Sequence, residues 1–226
     1  MRKIIRQRTV QVDPAILRGF KDLLKIYSPS CVVADSQERY GVMRSYMRPL
    51  TNNTRFVGPA LTVQLEPGNQ VDCLDALSVA KEGDVIVVDA AGETETSIWG
   101  GLMSGLCMMK GVVGAVVDGA IRDTDETRDL GFQIFSKAIV PRSTHSPFSG
   151  RTDPIEVNGA IQCAGVLVNP GDLVLGDEIG VVVIPLDKAA EILEKARTQA
   201  GNEEKTRARI REGKTVDQIL AEFGRM

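Results

Sequence analysis

Two short runs constrain this chain most: Val85–Val88 and Val112–Val117 contain no polar side chain. A strand with one wet face alternates apolar and polar residues, so a run without alternation must be covered on both faces. That is the situation of a parallel strand flanked by helices. The first run leads into a polar stretch, Asp89 to Ser97, read as a loop, and then into a helix from about Gly100-Gly101 to Gly111. The second leads into Asp118–Asp123 and a short helix over about 124–130, stopped by Gly131. Strand, junction and helix repeated in this way predict an α/β fold.

The remaining elements follow from periodicity and punctuation. Asp13-Pro14 is a helix start, an N-cap side chain followed by Pro at the first helical position. Ile16, Leu17, Phe20, Leu23 and Leu24 then share a helix face. A second short helix is expected over about 30–40, ending at Gly41. Phe56–Leu65 reads as extended, with Pro59 marking an edge or a bend. Gln70 to Lys81 reads as a helix closed by Gly83. Ile134-Phe135, Val166–Val168, Leu173–Leu175 and Val181–Ile184 supply further strands, separated by turns at Pro170-Gly171 and Gly176-Asp177. Leu186 to about Arg211 is helical, and a last short helix is expected over Val216–Phe223. The chain reads as one domain, with a core over about 12–186 and a C-terminal helical arm over about 187–226. Ile192, Leu193, Ala196 and Ala200 give that arm only a thin apolar stripe, the kind that packs on a neighbouring subunit, so a homo-oligomer is expected.

Composition narrows the function classes. The 226 residues carry a formal net charge of −3 and only 4% aromatics, so neither a global positive field nor a base-stacking surface is on offer to nucleic acid. Basic residues gather at the ends (Arg2, Lys3, Arg6, Arg8; Lys205, Arg207, Arg209, Arg211, Lys214), but Glu203, Glu204 and Glu212 interleave with the second group. A solvated helix face is the reading there, with a binding patch as the alternative. No run of about 18 apolar residues could span a bilayer, and no apolar leader core opens the chain, so a cytoplasmic protein is expected. Cys31, Cys73, Cys107 and Cys163 form no C-x-x-C pair, which removes support for zinc or thiol-redox chemistry and suggests buried free thiols.

Two strand-to-helix junctions hold the chemistry. At Trp99-Gly100-Gly101-Leu102-Met103, paired glycines at a helix start let the backbone approach a ligand, and first-turn N–H groups attract a carboxylate or phosphate. Turn geometry alone is the alternative. At Asp118–Asp123 an apolar strand delivers Asp118, Arg122 and Asp123 to one end of the sheet, where open α/β sheets place ligands. Arg122 can grip a carboxylate or 2-oxo oxygen with two hydrogen bonds. Asp123 offers hard oxygen to Mg²⁺ or Mn²⁺, which keep several waters. Mutual pairing of Arg122 and Asp123 at a loop is the alternative, and spacing does not separate the two.

The segments WGGLMSG (99–105), GAVVDGAIRD (114–123), SYMRP (45–49), the turn at Pro67-Gly68-Asn69, and VNPGDLVLGDEIGVVVIP (168–185) together resemble the RraA-like family. This family includes 4-hydroxy-4-methyl-2-oxoglutarate and 4-carboxy-4-hydroxy-2-oxoadipate aldolases. The resemblance implies a swivelling β/β/α fold, trimers or hexamers, and a divalent metal (Mg²⁺ or Mn²⁺) at an inter-subunit site. By the same resemblance Asp123 holds the metal, Arg122 binds a small 2-oxo acid and steadies its enolate, backbone N–H groups of Leu102 and Met103 hold the pyruvyl carboxylate, and Asn69 lines the pocket. The implied reaction is retro-aldol cleavage or oxaloacetate decarboxylation, both of which leave a pyruvate enolate.

The chain departs from the family where the aldolases carry an acid after the first Gly of the W-G motif: here that residue is Gly101. Glu93 or Glu95 is the expected substitute, with a further acid near Glu203 or Glu204 arriving from a neighbour's arm. The missing acid also favours a second reading, since some relatives regulate ribonuclease E by binding it. A methyltransferase is disfavoured, because no glycine-rich cofactor loop follows an early strand. His145 is expected to be solvent-exposed or to order its loop, with catalysis as the alternative, Asp177-Glu178 to organise a turn, Trp99 to pack under the glycines, and Met103, Met108 and Met109 to be core or pocket wall.

Overall fold

The computed structural model describes residues 3–51, 54–66, 73–144 and 155–224. Asn69, the Pro67–Asn69 turn and His145 lie outside them. In chain order the elements are β1 (Ile4–Ile5), α1 (Pro14–Leu23), α2 (Pro29–Ser36), β2 (Arg48–Pro49), β3 (Phe56–Leu65), β4 (Val85–Trp99), α3 (Gly101–Met109), β5 (Gly114–Ile121), α4 (Thr124–Asp129), β6 (Ile134–Ile139), β7 (Ile155–Val157), β8 (Ile161–Cys163), β9 (Val166–Val168), β10 (Leu173–Gly176), β11 (Val181–Ile184), α5 (Ala189–Arg211) and α6 (Val216–Phe223). The class is α/β, as expected.

The centre of the molecule is a parallel set, β3-β4-β5-β6, in which Val85, Val87 and Val116 pack on one face while Ile86, Val88 and Val117 pack on the other. Both faces are dry, and the lack of alternation in these runs has this cause. A third apolar cluster lies between β10/β11 and the helices α1, α2 and α5. Strand β3 changes partners along one edge: Phe56–Pro59 pair with β10, and Val63–Leu65 pair with β7. Pro59, which cannot donate to a ladder, sits where β10 hands over, so it marks the changeover and not a free edge.

Four expectations need correction. The segment from Asp89 to Ser97 is not a loop but part of β4, a 15-residue strand. Between Asp89 and Trp99 it makes a bulged excursion while β5 advances only from Asp118 to Ile121. Ala91 and Gly92, both at positive φ, allow the excursion. The helix expected over Gln70–Lys81 is, within the described residues, a 3₁₀ segment of five residues, Leu74–Ser78.

The third correction concerns the arm. Ile192, Leu193 and Ala196 of α5 are buried against Phe20, Leu23, Val32 and Val33 of the same chain, so the apolar stripe is consumed internally. The N-terminal segment is held as well, through a buried ion pair of 2.7 Å between Arg8 and Asp84. Cys31 is exposed, whereas the other three thiols are buried as expected. Among the described residues no helix is long and apolar enough to cross a membrane.

Candidate active site

The two junctions meet at one end of the parallel strands. Register places Trp99 beside Ile121, and the Arg122 N–H donates to the Trp99 carbonyl at 2.9 Å. Trp99 is buried, stacks on Phe132 and donates through Nε1 to Ser104 Oγ at 3.0 Å. Ser104 Oγ also donates to the Gly100 carbonyl and lies 3.2 Å from Thr127 Oγ1. This buried hydroxyl pair ties the first turn of α3 to α4. Neither Ser104 nor Thr127 stood out in the sequence, because a serine and a threonine 23 residues apart carry no local signal.

Asp123 occupies the N-cap position of α4 in the left-handed region (φ 50°), yet its side chain caps nothing there. The conformation is costly for a residue with a Cβ and is used where a side chain must be aimed. Here it turns the carboxylate back onto α3: Asp123 Oδ2 accepts from Gly101 N–H at 3.3 Å and lies 3.4 Å from Arg122 Nε. The pair is accessible, with side chains 41% and 38% exposed. It therefore sits at a surface, not locked in the interior.

The glycines follow from these neighbours. A Cβ on Gly100 would stand 2.5 Å from Asp123 Oδ2, and one on Gly101 would stand 2.0 Å from Glu126 Oε2. Gly100 is extended and Gly101 helical, so neither needs glycine for its φ. The space a side chain would enter is taken by the ends of two acids, Asp123 at Gly100 and the flexible Glu126 at Gly101.

Beside them opens a cavity of about 450 Å³, lined by Ser97, Trp99, Gly100, Leu102, Met103, Arg122 and Asp123 among others. It joins apolar walls to a guanidinium, a carboxylate and the first turn of α3, where the leading N–H groups of a helix have no intrahelical acceptor. Of the residues expected at the site, Gly100, Leu102, Met103, Arg122 and Asp123 come together at this cavity, and Gly101 borders it through the Asp123 contact. Met108 and Met109 face solvent and are not pocket wall.

The other expected acids lie elsewhere. Glu93 accepts from the Glu95 N–H within the β4 excursion, and neither lines the cavity. Glu203 stands on α5, bonded to Gln199 and Arg207, and does not reach the cavity of its own chain. Asp177 does organise its turn: buried, it accepts from Ser30 N and Oγ, both at 2.8 Å, and from Ile179 N at 2.9 Å.

Asp118, delivered by the same strand as Asp123, is not at the cavity. Its carboxylate is buried, accepting from Ala164 N at 2.7 Å and from the Tyr46 hydroxyl at 3.2 Å. Burial, together with the Asp118 charge, pushes the Tyr46 phenol up to about 12. Burial also raises the Asp89 carboxyl above its ordinary range, with help from Asp118 across the strand pair. This cluster is a structural anchor for the β8 region.

Comparison with known proteins finds relatives along most of the chain. The family model described as Aldolase/RraA matches residues 30–183. A protein of Halalkalibacterium halodurans named "Putative 4-hydroxy-4-methyl-2-oxoglutarate aldolase" is 39% identical over 193 residues, covering 85% of this chain and 87% of that protein. Among solved structures, an uncharacterized protein from Pseudomonas syringae pv. tomato superposes with a TM-score of 0.78 at 25% identity, covering 93% of this chain and 98% of that one. Streptomyces coelicolor RraAS2, an unusual member of the RNase ES inhibitor RraA protein family, gives 0.74 at 29% identity, covering 88% and 98%.

Proposed function

The chain belongs to the RraA-like family, and from that premise we propose that it is a divalent-cation-assisted carbon–carbon lyase acting on a small 2-oxo acid. The reaction runs through a pyruvate enolate, as aldol cleavage of a 4-hydroxy-2-oxo acid, decarboxylation of oxaloacetate, or both. The observation that carries the reading is the placement of Asp123: a carboxylate left uncapped, turned onto a glycine pair, beside a guanidinium and at the mouth of a cavity.

The residues suit a hard, hydrated cation. Among the described residues no group of three or more His, Cys, Asp or Glu could hold a metal, which disfavours a zinc-type cage. A single accessible carboxylate fits Mg²⁺ or Mn²⁺, which bind through one or two carboxylates and retain water. Asp123 would hold the ion, whose chemistry is to polarise the 2-oxo oxygen. Arg122 spreads the negative charge that appears there as the neighbouring carbon leaves. The free N–H groups of Leu102 and Met103 at the start of α3 hold the substrate carboxylate, helped by the positive end of the helix dipole. Leu102, Leu106 and Met109 leave an exposed apolar strip on α3 beside the cavity. That strip supports a homo-oligomer, trimer or hexamer, in which a second copy covers the site and could bring its Glu203 there.

The test is pyruvate release from 4-hydroxy-2-oxo acids and from oxaloacetate, with Mg²⁺ or Mn²⁺ and again after EDTA. Cation-dependent turnover is expected. Absence of turnover with every 2-oxo acid, together with no cation-dependent rise in melting temperature, defeats the reading. A second reading, a non-catalytic regulator of a ribonuclease, is favoured by the similarity to the RNase ES inhibitor family member. It predicts recovery of a ribonuclease in a pull-down that Asp123→Ala leaves intact.

A further inference from the structure

We propose that Glu126 is the proton-transfer residue of this site, an inference that rests on the lyase reading above. An enolate mechanism must move a proton, and few groups are placed to carry it. The side-chain atoms nearest the glycine pair belong to Arg122, Asp123 and Glu126. A guanidinium stays protonated and cannot serve as a base. Asp123 is committed to the cation. Asp118 is closed off by Ala164 and Tyr46, and Glu93 and Glu95 sit out on the β4 excursion.

Glu126 does not itself line the cavity, but it stands against Gly101, the chain neighbour of the lining residues Gly100 and Leu102. The Glu126 Oε2, Cδ and Cγ lie 2.0, 2.4 and 2.8 Å from where a Cβ on Gly101 would be, so the carboxyl end rests on that α-carbon. Asp123 rests in the same way on Gly100, and adjacent α-carbons are about 3.8 Å apart. Asp123 and Glu126 are three residues apart across the start of α4, the spacing that puts two side chains on one helix face. Among the described residues no side-chain hydrogen bond or ion pair engages the Glu126 carboxylate, and the residue is exposed. Nothing among the described residues competes for its oxygens. The acid that the family resemblance leads one to expect at 101 is thus supplied through space from α4, with the Glu126 carboxyl in the volume a side chain at 101 would enter.

The step balances without a further reactant. In aldol cleavage the Glu126 carboxylate takes the proton of the C4 hydroxyl as the C3–C4 electron pair moves into the enolate, releasing a carbonyl product. The resulting carboxylic acid returns that proton to C3, forming the methyl group of pyruvate and regenerating the carboxylate. In decarboxylation only the second half is used, and solvent reprotonates Glu126 after each turnover.

Exchange of the pyruvate methyl protons in D₂O isolates this step from carbon–carbon cleavage. With Mn²⁺ present, Glu126→Gln is expected to lose about 100-fold in exchange rate, the usual scale for a positioned acid–base group. Calorimetry is expected to find its Mn²⁺ affinity, and its affinity for oxalate, a planar mimic of the enolate, within about 3-fold of the parent protein. Gly101→Ala should mimic it, because the new Cβ drives the flexible Glu126 side chain away. Gly101→Asp in the Glu126→Ala background should recover exchange by returning a carboxylate from the other partner. Exchange by Glu126→Gln within about 3-fold of parent overturns the proposal. A loss of Mn²⁺ affinity beyond about 10-fold also overturns it, because Glu126 would then be a cation ligand. A parent protein with neither exchange nor pyruvate release refutes the lyase reading itself, a result distinct from a parent that exchanges and a Glu126→Gln variant that exchanges equally well.

Discussion

Asp118 and Asp123 are delivered by the same strand end, five positions apart in the chain, and they have opposite fates. Asp118 is buried, and its oxygens are taken by the Ala164 N–H and the Tyr46 hydroxyl, so its charge is spent holding one loop to another. Asp123 is 38% exposed, held by one long contact from Gly101 and a loose pairing with Arg122 at the edge of a cavity. What separates an anchor from a carboxylate open to a ligand is the filling of its lone pairs. A carboxylate whose acceptors are satisfied by the chain has nothing left for a ligand, and a buried one cannot be left unsatisfied without cost.

Substitution should split the pair cleanly. Asp123→Ala is expected to lower cation-dependent turnover by about 1000-fold, the scale of a lost transition-state electrostatic contact. The melting temperature should hardly change, because the side chain is accessible and caps nothing. Loss of fold with loss of activity would make Asp123 another anchor and break the contrast. Asp118→Ala should do the reverse. Leaving the Ala164 N–H and the Tyr46 hydroxyl without their acceptor costs about 2 kcal/mol, read as a drop of several degrees in thermal melting. A spectroscopic titration of Asp118→Asn should also find the Tyr46 phenol moving down from about 12, since one cause of its elevation is gone.

The smallest effect is a pH dependence. Burial, reinforced by Asp118, holds the Asp89 carboxyl above its ordinary range, although the Ala91 N–H pulls the other way. A carboxyl whose folded value exceeds its unfolded value favours folding in its protonated form. Its contribution is complete below the unfolded value of about 4 and is lost as pH rises through the raised folded value. Asp89→Asn cannot ionise, so its stability relative to the parent chain should improve from about pH 4 toward pH 7. A difference that stays constant over that range would show that Asp89 gains as much from its hydrogen bonds as it loses by burial.

Much of the architecture was legible because its determinants are local. The apolar runs at 85–88 and 112–117 require cover on both faces wherever they are placed, and Asp13-Pro14 starts a helix by its own chemistry: the Asp13 side chain accepts from Ala15 N–H at 2.7 Å. The same locality misled over Asp89–Ser97. A polar, glycine-bearing segment looks like a loop, but its neighbour β5 holds it in register through bulges. The stripe on α5 misled for a related reason: four residues show that a helix face needs cover but not which partner provides it, and here α1 and α2 do.

The site divides along the same line. Residue types and their order along the chain were enough to single out Gly100, Arg122 and Asp123, and to establish the α/β class, because a junction after a buried strand is written within about ten residues. Which carboxylate rests on which glycine was not written there. The contact from Gly101 to Asp123 spans 22 positions, and the seat of Glu126 on Gly101 exists only because parallel β4 and β5 bring α3 and α4 to the same end of the sheet. Short-range preferences specify elements one at a time, whereas the meeting of two junctions depends on strand register and on buried cross-links such as Ser104 to Thr127, which only the folded chain brings into being.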